Sequence, residues 1–417
     1  MGCRSGRTAE GEAGMLWKEL STLREGRVGS VQRDGNRRRV MNALRLAGPS
    51  TRADLLKAGL SRSTVANVVD DLISAGLVVR VQTAVESRVN GRPPEYVGLD
   101  GGAATAAGVE IANGCVRLAL CNVAQELLAF DAADVPEDSD PEHTLGVARD
   151  LIRDLSDRTG APLERLIGVG VAVPGPVQRR TGIIGRACTL APWIGVRSCE
   201  LAEEVLGWPA LVANDANLAA LAEMTWGAGR GYHDVAYVYT AYGIGVGLVL
   251  GGQLYSGAAG TAGEIGHTTV DDHGEICACG GRGCLNTVAD PNAVTRQLQQ
   301  VLSPGITIRE VIELTREGDP RCRRVMADAG RQIGASLASL YNLLDPEVII
   351  IGGHLKEAGP ALLDPLRESM ARCAIHAGEA ISPVITGRLD NEVVAMGAAA
   401  GVLRDPLRFP LPTGDNV

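Results

Sequence analysis

Two stretches more than a hundred residues apart repeat one design: AAGVEIANGCVRLALCNV at 106–123 and VAYVYTAYGIGVGLVLGGQLY at 235–255. Each is a pair of apolar segments around a short turn of small residues, which reads as a strand hairpin. Further apolar strands then alternate with helical segments such as TLGVARDLIRDLSDRTG. Strand–helix alternation buries apolar faces by layering helices on sheets, so the repeat predicts an α/β body of two related halves with a cleft between them. We place the first lobe at 101–230 and the second at 231–417. A chain of 417 residues, 45% hydrophobic and 21% charged, is long enough for this body and a further domain.

The charge distribution sets that further domain apart. Residues 1–100 carry 16 Lys and Arg against 11 Asp and Glu, whereas the remainder carries 24 against 38. A basic head on an acidic body points to a polyanionic partner for the head alone. Residues 1–35, rich in Gly, Ser, Arg and Glu without a sustained apolar period, read as a disordered or loosely helical extension.

From Arg37 the pattern becomes helical. RRRVMNALRLAG ends at Gly48-Pro49, STRADLLKAGL opens with Ser50 or Thr51 as a cap and stops at Gly59, and Ser61 caps a third helix, SRSTVANVVDDLISAGLV. In that helix Val65, Val68, Val69, Leu72 and Ile73 recur at core spacing, leaving Arg62, Ser63, Asn67 and Asp70 outward. LVVRVQ and YVGL read as strands flanking a turn that carries Arg88 and Arg92, so residues 36–100 form a winged helix-turn-helix. The N-terminal part of the third helix then enters the major groove of an operator, with Arg62, Ser63, Thr64 and Asn67 as base readers and Arg88 and Arg92 reaching phosphates or a minor groove. The bland alternative is a trihelical docking module with solvated arginines.

In the body, LVANDANLAALAE is a strand that breaks into Asn214, Asp215 and Asn217 before an alanine-rich helix. Amides and a carboxylate there suit sugar hydroxyls or general-base work, although Asn214 or Asp215 could equally be a helix cap. GEIGHTTVDDHGEICACGGRGC gathers histidines and three cysteines over 263–284. The other seven cysteines are scattered singly and no secretory signal is evident, so reduced thiols in a cytoplasmic protein are expected. The uncharged run 235–263 is too interrupted by glycine for a membrane span.

The ordered set VAVPGPV (171–177), VANDANLAALAE (212–223), YGIGVGLVLGGQLYSGAAGTAGEIGH (242–267), CACGGRGC (277–284), NLLDPEVIIIGG (342–353) and GAAAG (397–401) resembles the ROK family of sugar kinases and sugar-responsive repressors. With the winged helix-turn-helix ahead of it, the chain is similar to the repressor branch. The resemblance implies a two-lobed actin-like ATPase (ribonuclease H-like) fold of sugar-kinase type. It also implies one structural zinc held by His267, Cys277, Cys279 and Cys284, for which a redox CxC pair is the alternative, and His273 as a bystander. Sugar binding falls to Asn214, Asp215, Glu264 and His267, with Asn286 where the family carries a glutamate.

The phosphate-binding parts depart from the family. EIANGC (110–115) stands for a DxGxTK loop, which puts Glu110, Gly114 and Cys115 at its key positions, and Ala241-Tyr242-Gly243 stands where a GTG is usual. Phosphoryl transfer depends on charge placement by such parts, so we expect no kinase activity, with Asp215, which matches the kinase base, left as a sugar ligand. The expected protein is a sugar-sensing repressor acting at least as a homodimer, with a tetramer open. An active sugar kinase with a DNA-binding head, or a constitutive DNA-binding protein with a relic pocket, are the alternatives.

Overall fold

The computed structural model describes residues 28–81, 95–375 and 381–411. The described residues divide into two compact units, one up to Ala103 and the other from Ala104 to Leu411.

In the first unit helix α1 spans Val28–Ala47, strand β1 is Ser50–Thr51, and α2 is Arg62–Ser74. Helix α1 therefore starts well before Arg37, within the stretch read as a loose extension. Its first turns have little apolar content, but Arg33 and Arg37 reach Asp71 of α2 at 2.6 and 3.8 Å, a tertiary tie that local composition does not reveal. The second helix is a single 3₁₀ segment, Asp54–Ala58. Its cap position is Ala53, which makes no side-chain cap bond, so neither Ser50 nor Thr51 is the cap expected; Thr51 instead closes the turn ahead of the segment, its hydroxyl accepting the Asp54 N–H while the Asp54 carboxylate accepts the Thr51 N–H. Ser50 belongs to the sheet instead, and its hydroxyl donates to the Gly48 carbonyl.

Helix α2 begins as expected, with the Ser61 side chain accepting from the Thr64 N–H. Val65, Val68, Val69 and Leu72 are buried and Ile73 is half-buried. Strands β2 (Val78–Val81) and β3 (Tyr96–Leu99) pair antiparallel, with β1 on the far side of β3. Arg88 and Arg92 lie outside the described residues.

The second unit opens with β4 (Thr105–Ala112), β5 (Cys115–Asn122) and β6 (Leu127–Asp134), followed by α3 (Pro141–Thr159), β7 (Leu166–Val173), α4 (Ser198–Leu206), β8 (Ala210–Asn214) and α5 (Asp215–Thr225). The design then repeats as β9 (Val235–Thr240), β10 (Ile244–Leu250) and β11 (Gln253–Leu254), short α6 (Leu285–Ala289), then α7 (Pro291–Gln299), α8 (Ile308–Glu317), α9 (Pro320–Leu344), β12 (Val348–Gly353), α10 (Pro360–Cys373), β13 (Val384–Thr386) and α11 (Val393–Arg404).

The two five-stranded sheets run β6-β5-β4-β7-β8 and β11-β10-β9-β12-β13. Numbered within its own half, each has the order 3-2-1-4-5, with an antiparallel hairpin followed by parallel additions. The internal repeat read from the sequence is therefore a repeat of topology. Each sheet has its own core, one including Val109, Leu118, Ile152 and Val171, the other Val238, Val246, Leu337 and Ile351.

Helices α5 and α11 hold the halves together. Helix α11 packs on β4 and β7 of the first sheet, while α5 packs on β9 and β10 of the second and against α11. Their approach is close because a Cβ on Gly397 would overlap the Leu218 carbonyl oxygen; GAAAG is thus a packing face. No helix among the described residues is long and apolar enough to cross a membrane.

Candidate functional site

Between the lobes lies a cavity of about 320 Å³ lined by residues from both. The first lobe contributes Asn214 and Asp215 from the β8–α5 junction, with Arg186, Cys188 and Thr189 from an irregular segment after β7. The second contributes Tyr239, Tyr242, Glu264, His267, Cys277, Cys279 and Asn286. All five residues assigned to sugar contact from the sequence thus meet in one cavity.

The β8–α5 junction combines both of the roles considered for it. Asn214 caps α5 by accepting the Asn217 N–H at 3.2 Å, and its Nδ2 donates to Asp215 Oδ1 at 2.9 Å and to the Gly175 carbonyl at 3.2 Å. Asp215 Oδ1 also accepts the Ala216 N–H at 2.8 Å. Burial nevertheless pushes the Asp215 carboxyl up to about 7, and the nearby carboxylates of Glu110 and Glu264 add to the rise. Burial likewise raises Glu264.

Behind the cavity, Glu110 and Arg117 face each other across the β4–β5 hairpin, with Arg117 Nη1 3.0 Å from Glu110 Oε1. Glu110 is 3% exposed and its Oε2 has no partner; burial raises its carboxyl despite the opposing guanidinium. Tyr242, also raised by burial, feels the same arginine. Arg117 escaped the sequence reading, yet the two-residue turn Asn113-Gly114 puts 110 opposite 117 by counting outward, so the signal was there.

Beside the cavity, His267, Cys277, Cys279 and Cys284 bring one ligand atom each to within 4.8 Å of one another. Cys279 Sγ and Cys284 Sγ are 3.7 Å apart and Cys277 Sγ is 3.5 Å from His267 Nδ1. A tetrahedral zinc with Zn–S of about 2.3 Å sets sulfur atoms about 3.8 Å apart, so this donor set fits such an ion. The Gly281 N–H holds the Cys279 thiol below its ordinary range, whereas burial and the neighbouring thiols push Cys284 up to about 12, so a metal would have to displace that proton on binding. With Nδ1 turned to the sulfurs, His267 presents Nε2 to Glu264 Oε2 at 4.0 Å. His273 is exposed.

On α2, Arg62, Ser63 and Asn67 are exposed or partly so, whereas Thr64 is half-buried with its hydroxyl on Ser61. Asp70, on the same face as Ser63 and Asn67, pairs with Arg52 at 2.7 Å.

A duplicated α/β body that closes amides and carboxylates around an interlobe cavity is built as sugar kinases are. The family model described as ROK family matches residues 106–404, and the chain belongs to that family. It is 27% identical over 364 residues to a xylose repressor of Caldicellulosiruptor bescii, covering 84% of this chain and 90% of the relative. To a glucokinase of Halalkalibacterium halodurans it is 30% identical over 314 residues, 71% of this chain and 92% of the enzyme. Among solved structures, a ROK family transcriptional regulator, a homologue of the Escherichia coli MLC protein, shares the fold with a TM-score of 0.73 at 24% identity, over 89% of this chain and 98% of that one.

Proposed function

We propose that the chain is a sugar-responsive transcriptional regulator of the ROK family, a repressor that binds operator DNA through its N-terminal unit and senses a sugar or sugar derivative in the interlobe cavity. The observation that carries this reading is the convergence of Asn214, Asp215, Glu264, His267 and Asn286 on one cavity, in a chain whose described N-terminal residues form two α-helices, a 3₁₀ turn and a three-stranded sheet, elements that suit a winged helix-turn-helix. Asp215 and Glu264 supply acceptors for hydroxyl groups, and the amides of Asn214 and Asn286 extend the network.

Arg62, Ser63, Thr64 and Asn67 read bases, Arg88 and Arg92 reach the backbone or a minor groove, and a homodimer matches a two-fold operator. Ligand binding changes operator affinity only to the extent that the ligand distinguishes the DNA-bound from the free state.

His267, Cys277, Cys279 and Cys284 hold one structural zinc per chain. Four protein ligands leave no open position, so the ion braces the loop and does no chemistry. By taking Nδ1 of His267, it also fixes the tautomer that turns Nε2–H toward the cavity.

A kinase reading is favoured by the likeness to a glucokinase at 30% identity and by the Asp215 carboxyl, which burial raises to about 7 and which suits a general base at neutral pH. Against it, Glu110 is already neutralised by Arg117, and the loop around Gly114 and Cys115 offers neither a hydroxyl nor a cation for a phosphate. The deciding experiment is operator binding and ATP turnover measured together against a sugar panel. A sugar that shifts operator affinity without consuming ATP supports the regulator; turnover lost in Asp215→Ala supports the kinase.

A further inference from the structure

The three cysteines of the zinc loop differ in their access to solvent. Cys277 and Cys284 are buried, whereas Cys279 is exposed and lines the interlobe cavity. Cys279 Sγ lies 3.7 Å from Cys284 Sγ, while Cys277 Sγ is turned to His267 Nδ1 at 3.5 Å. The donor set therefore has one sulfur open to small solutes and a second sulfur in contact behind it.

The chain between these two sulfurs favours a link. It reads Gly280-Gly281-Arg282-Gly283, with Gly280 and Gly283 in left-handed backbone at φ 91° and 62°. A Cβ on Gly281 would stand 3.2 Å from Cys284 Sγ and 3.4 Å from Cys279 Sγ, so the backbone passes close to both sulfurs. Joining them requires a closure from 3.7 Å to about 2.05 Å, a movement that glycines absorb at little steric cost. A Cys277–Cys279 link would instead close a ring over Ala278 alone and draw Cys277 away from His267.

We infer that Cys279 and Cys284 form a peroxide-sensitive pair whose oxidation expels the zinc ion. This rests on the structural-zinc reading and adds a reaction to it. The Cys279 thiolate attacks one oxygen of hydrogen peroxide; the O–O bond breaks, a sulfenic acid forms and hydroxide leaves. The Cys284 thiolate then attacks that sulfur, forming the S–S bond and displacing a second hydroxide. Two protons from solvent convert both hydroxides to water, so the two electrons lost by the thiolates are the two gained by the peroxide. His267 and Cys277 alone remain, half of the four ligands that hold a structural zinc.

The consequence reaches the sugar cavity through His267. Without a metal on Nδ1, nothing fixes the tautomer that turns Nε2–H toward Glu264, whose Oε2 is 4.0 Å away. Oxidant and sugar are thus read through the same side chain.

Hydrogen peroxide titrated into the zinc-loaded full chain tests this, with released zinc read by a chromophoric chelator and thiols by peptide mass mapping. One zinc should appear for every two thiols lost, a Cys279–Cys284 link should form, and dithiothreitol with added zinc should reverse both. Cys373, exposed and outside the donor set, is the internal comparator. Zinc retained while Cys373 is oxidised overturns the inference, as does zinc released with Cys279 taken to sulfinic acid or with Cys277 linked in place of Cys284. Nitrogen NMR of the His267 ring supplies the second readout: Nδ1 should move from its metal-bound to its unbound position on oxidation and return on reduction with zinc. An unchanged ring after the link has formed overturns the connection to the cavity. Reduced protein that takes up no zinc overturns the zinc reading, and this inference with it.

Discussion

His267 Nδ1 and Cys277 Sγ lie 3.5 Å apart, brought together across ten residues of chain by a 3₁₀ turn at Ile265–His267 and the glycine-rich loop that follows. Few apolar side chains hold this loop, and Ile276 within it is 62% exposed. Zinc is therefore expected to supply its order, at about one ion per chain by metal analysis. Cys279→Ser should lose the metal and lower the melting temperature, since structural zinc contributes on the order of 10 kcal/mol in small domains. Metal-free protein with an unchanged melting temperature would sink the claim.

The Asp215 carboxyl gives a pH signature. Its folded-state value, about 7, lies above its ordinary one, so the native state keeps a proton that the unfolded chain releases near pH 4. Its contribution to stability is thus fully present below pH 4 and is lost as pH rises toward 7. In Asp215→Asn the amide oxygen can still accept from Asn214 Nδ2 and the Ala216 N–H, while the charge is gone. This variant should melt a few degrees above the parent at pH 8 and level with it at pH 4, and bind sugar more weakly. Calorimetry showing the same pH slope in both proteins would refute the assignment.

Much of this architecture was legible in the sequence because it is local. Val65, Val68, Val69 and Leu72 mark the buried face of α2 by spacing, and the three cysteines stand within eight residues of one another. The start of α1 was not, because Arg33 and Arg37 are tied to Asp71 on another helix. The short DLLKA segment, between a strand and the Ser61 cap, has room only for a 3₁₀ turn, which apolar period cannot distinguish from α-helix. Arg186 sits in an irregular stretch without a period, and Asn286, on the short helix α6, takes its place by accepting the Ile244 N–H of strand β10 at 2.9 Å. Such relationships are set by tertiary packing.

Arg117→Ala tests the pair behind the cavity. Removing the arginine leaves Glu110 buried without its cation, a change that costs about 3–5 kcal/mol when one partner of a buried pair is lost. Glu110 can escape part of this by taking up a proton, and its carboxyl is already raised by burial. The loss should therefore be larger at pH 8 than at pH 5. Equal destabilisation at the two pH values in denaturant titrations would mean that lost packing, and not the stranded charge, accounts for it.

The exposed face of α2 yields the last test. Ser63, Asn67 and Asp70 fall at i, i+4 and i+7, so an acidic side chain shares the surface proposed to meet DNA. Arg52 neutralises it, reaching Asp70 Oδ1 at 2.7 Å from the segment before the 3₁₀ turn. Arg52 also raises no conflict with the base readers, since its own anchor is the helix it serves. Arg52→Ala should expose the Asp70 charge to phosphates and weaken binding to every DNA sequence alike, most at low salt where screening is least. Arg62→Ala should behave differently, costing about 1–3 kcal/mol on the operator and much less on random DNA if the guanidinium reads a guanine. Measured side by side against salt, the two variants separate backbone positioning from sequence readout; equal losses on both DNAs for Arg62→Ala would assign that residue to phosphate contact alone.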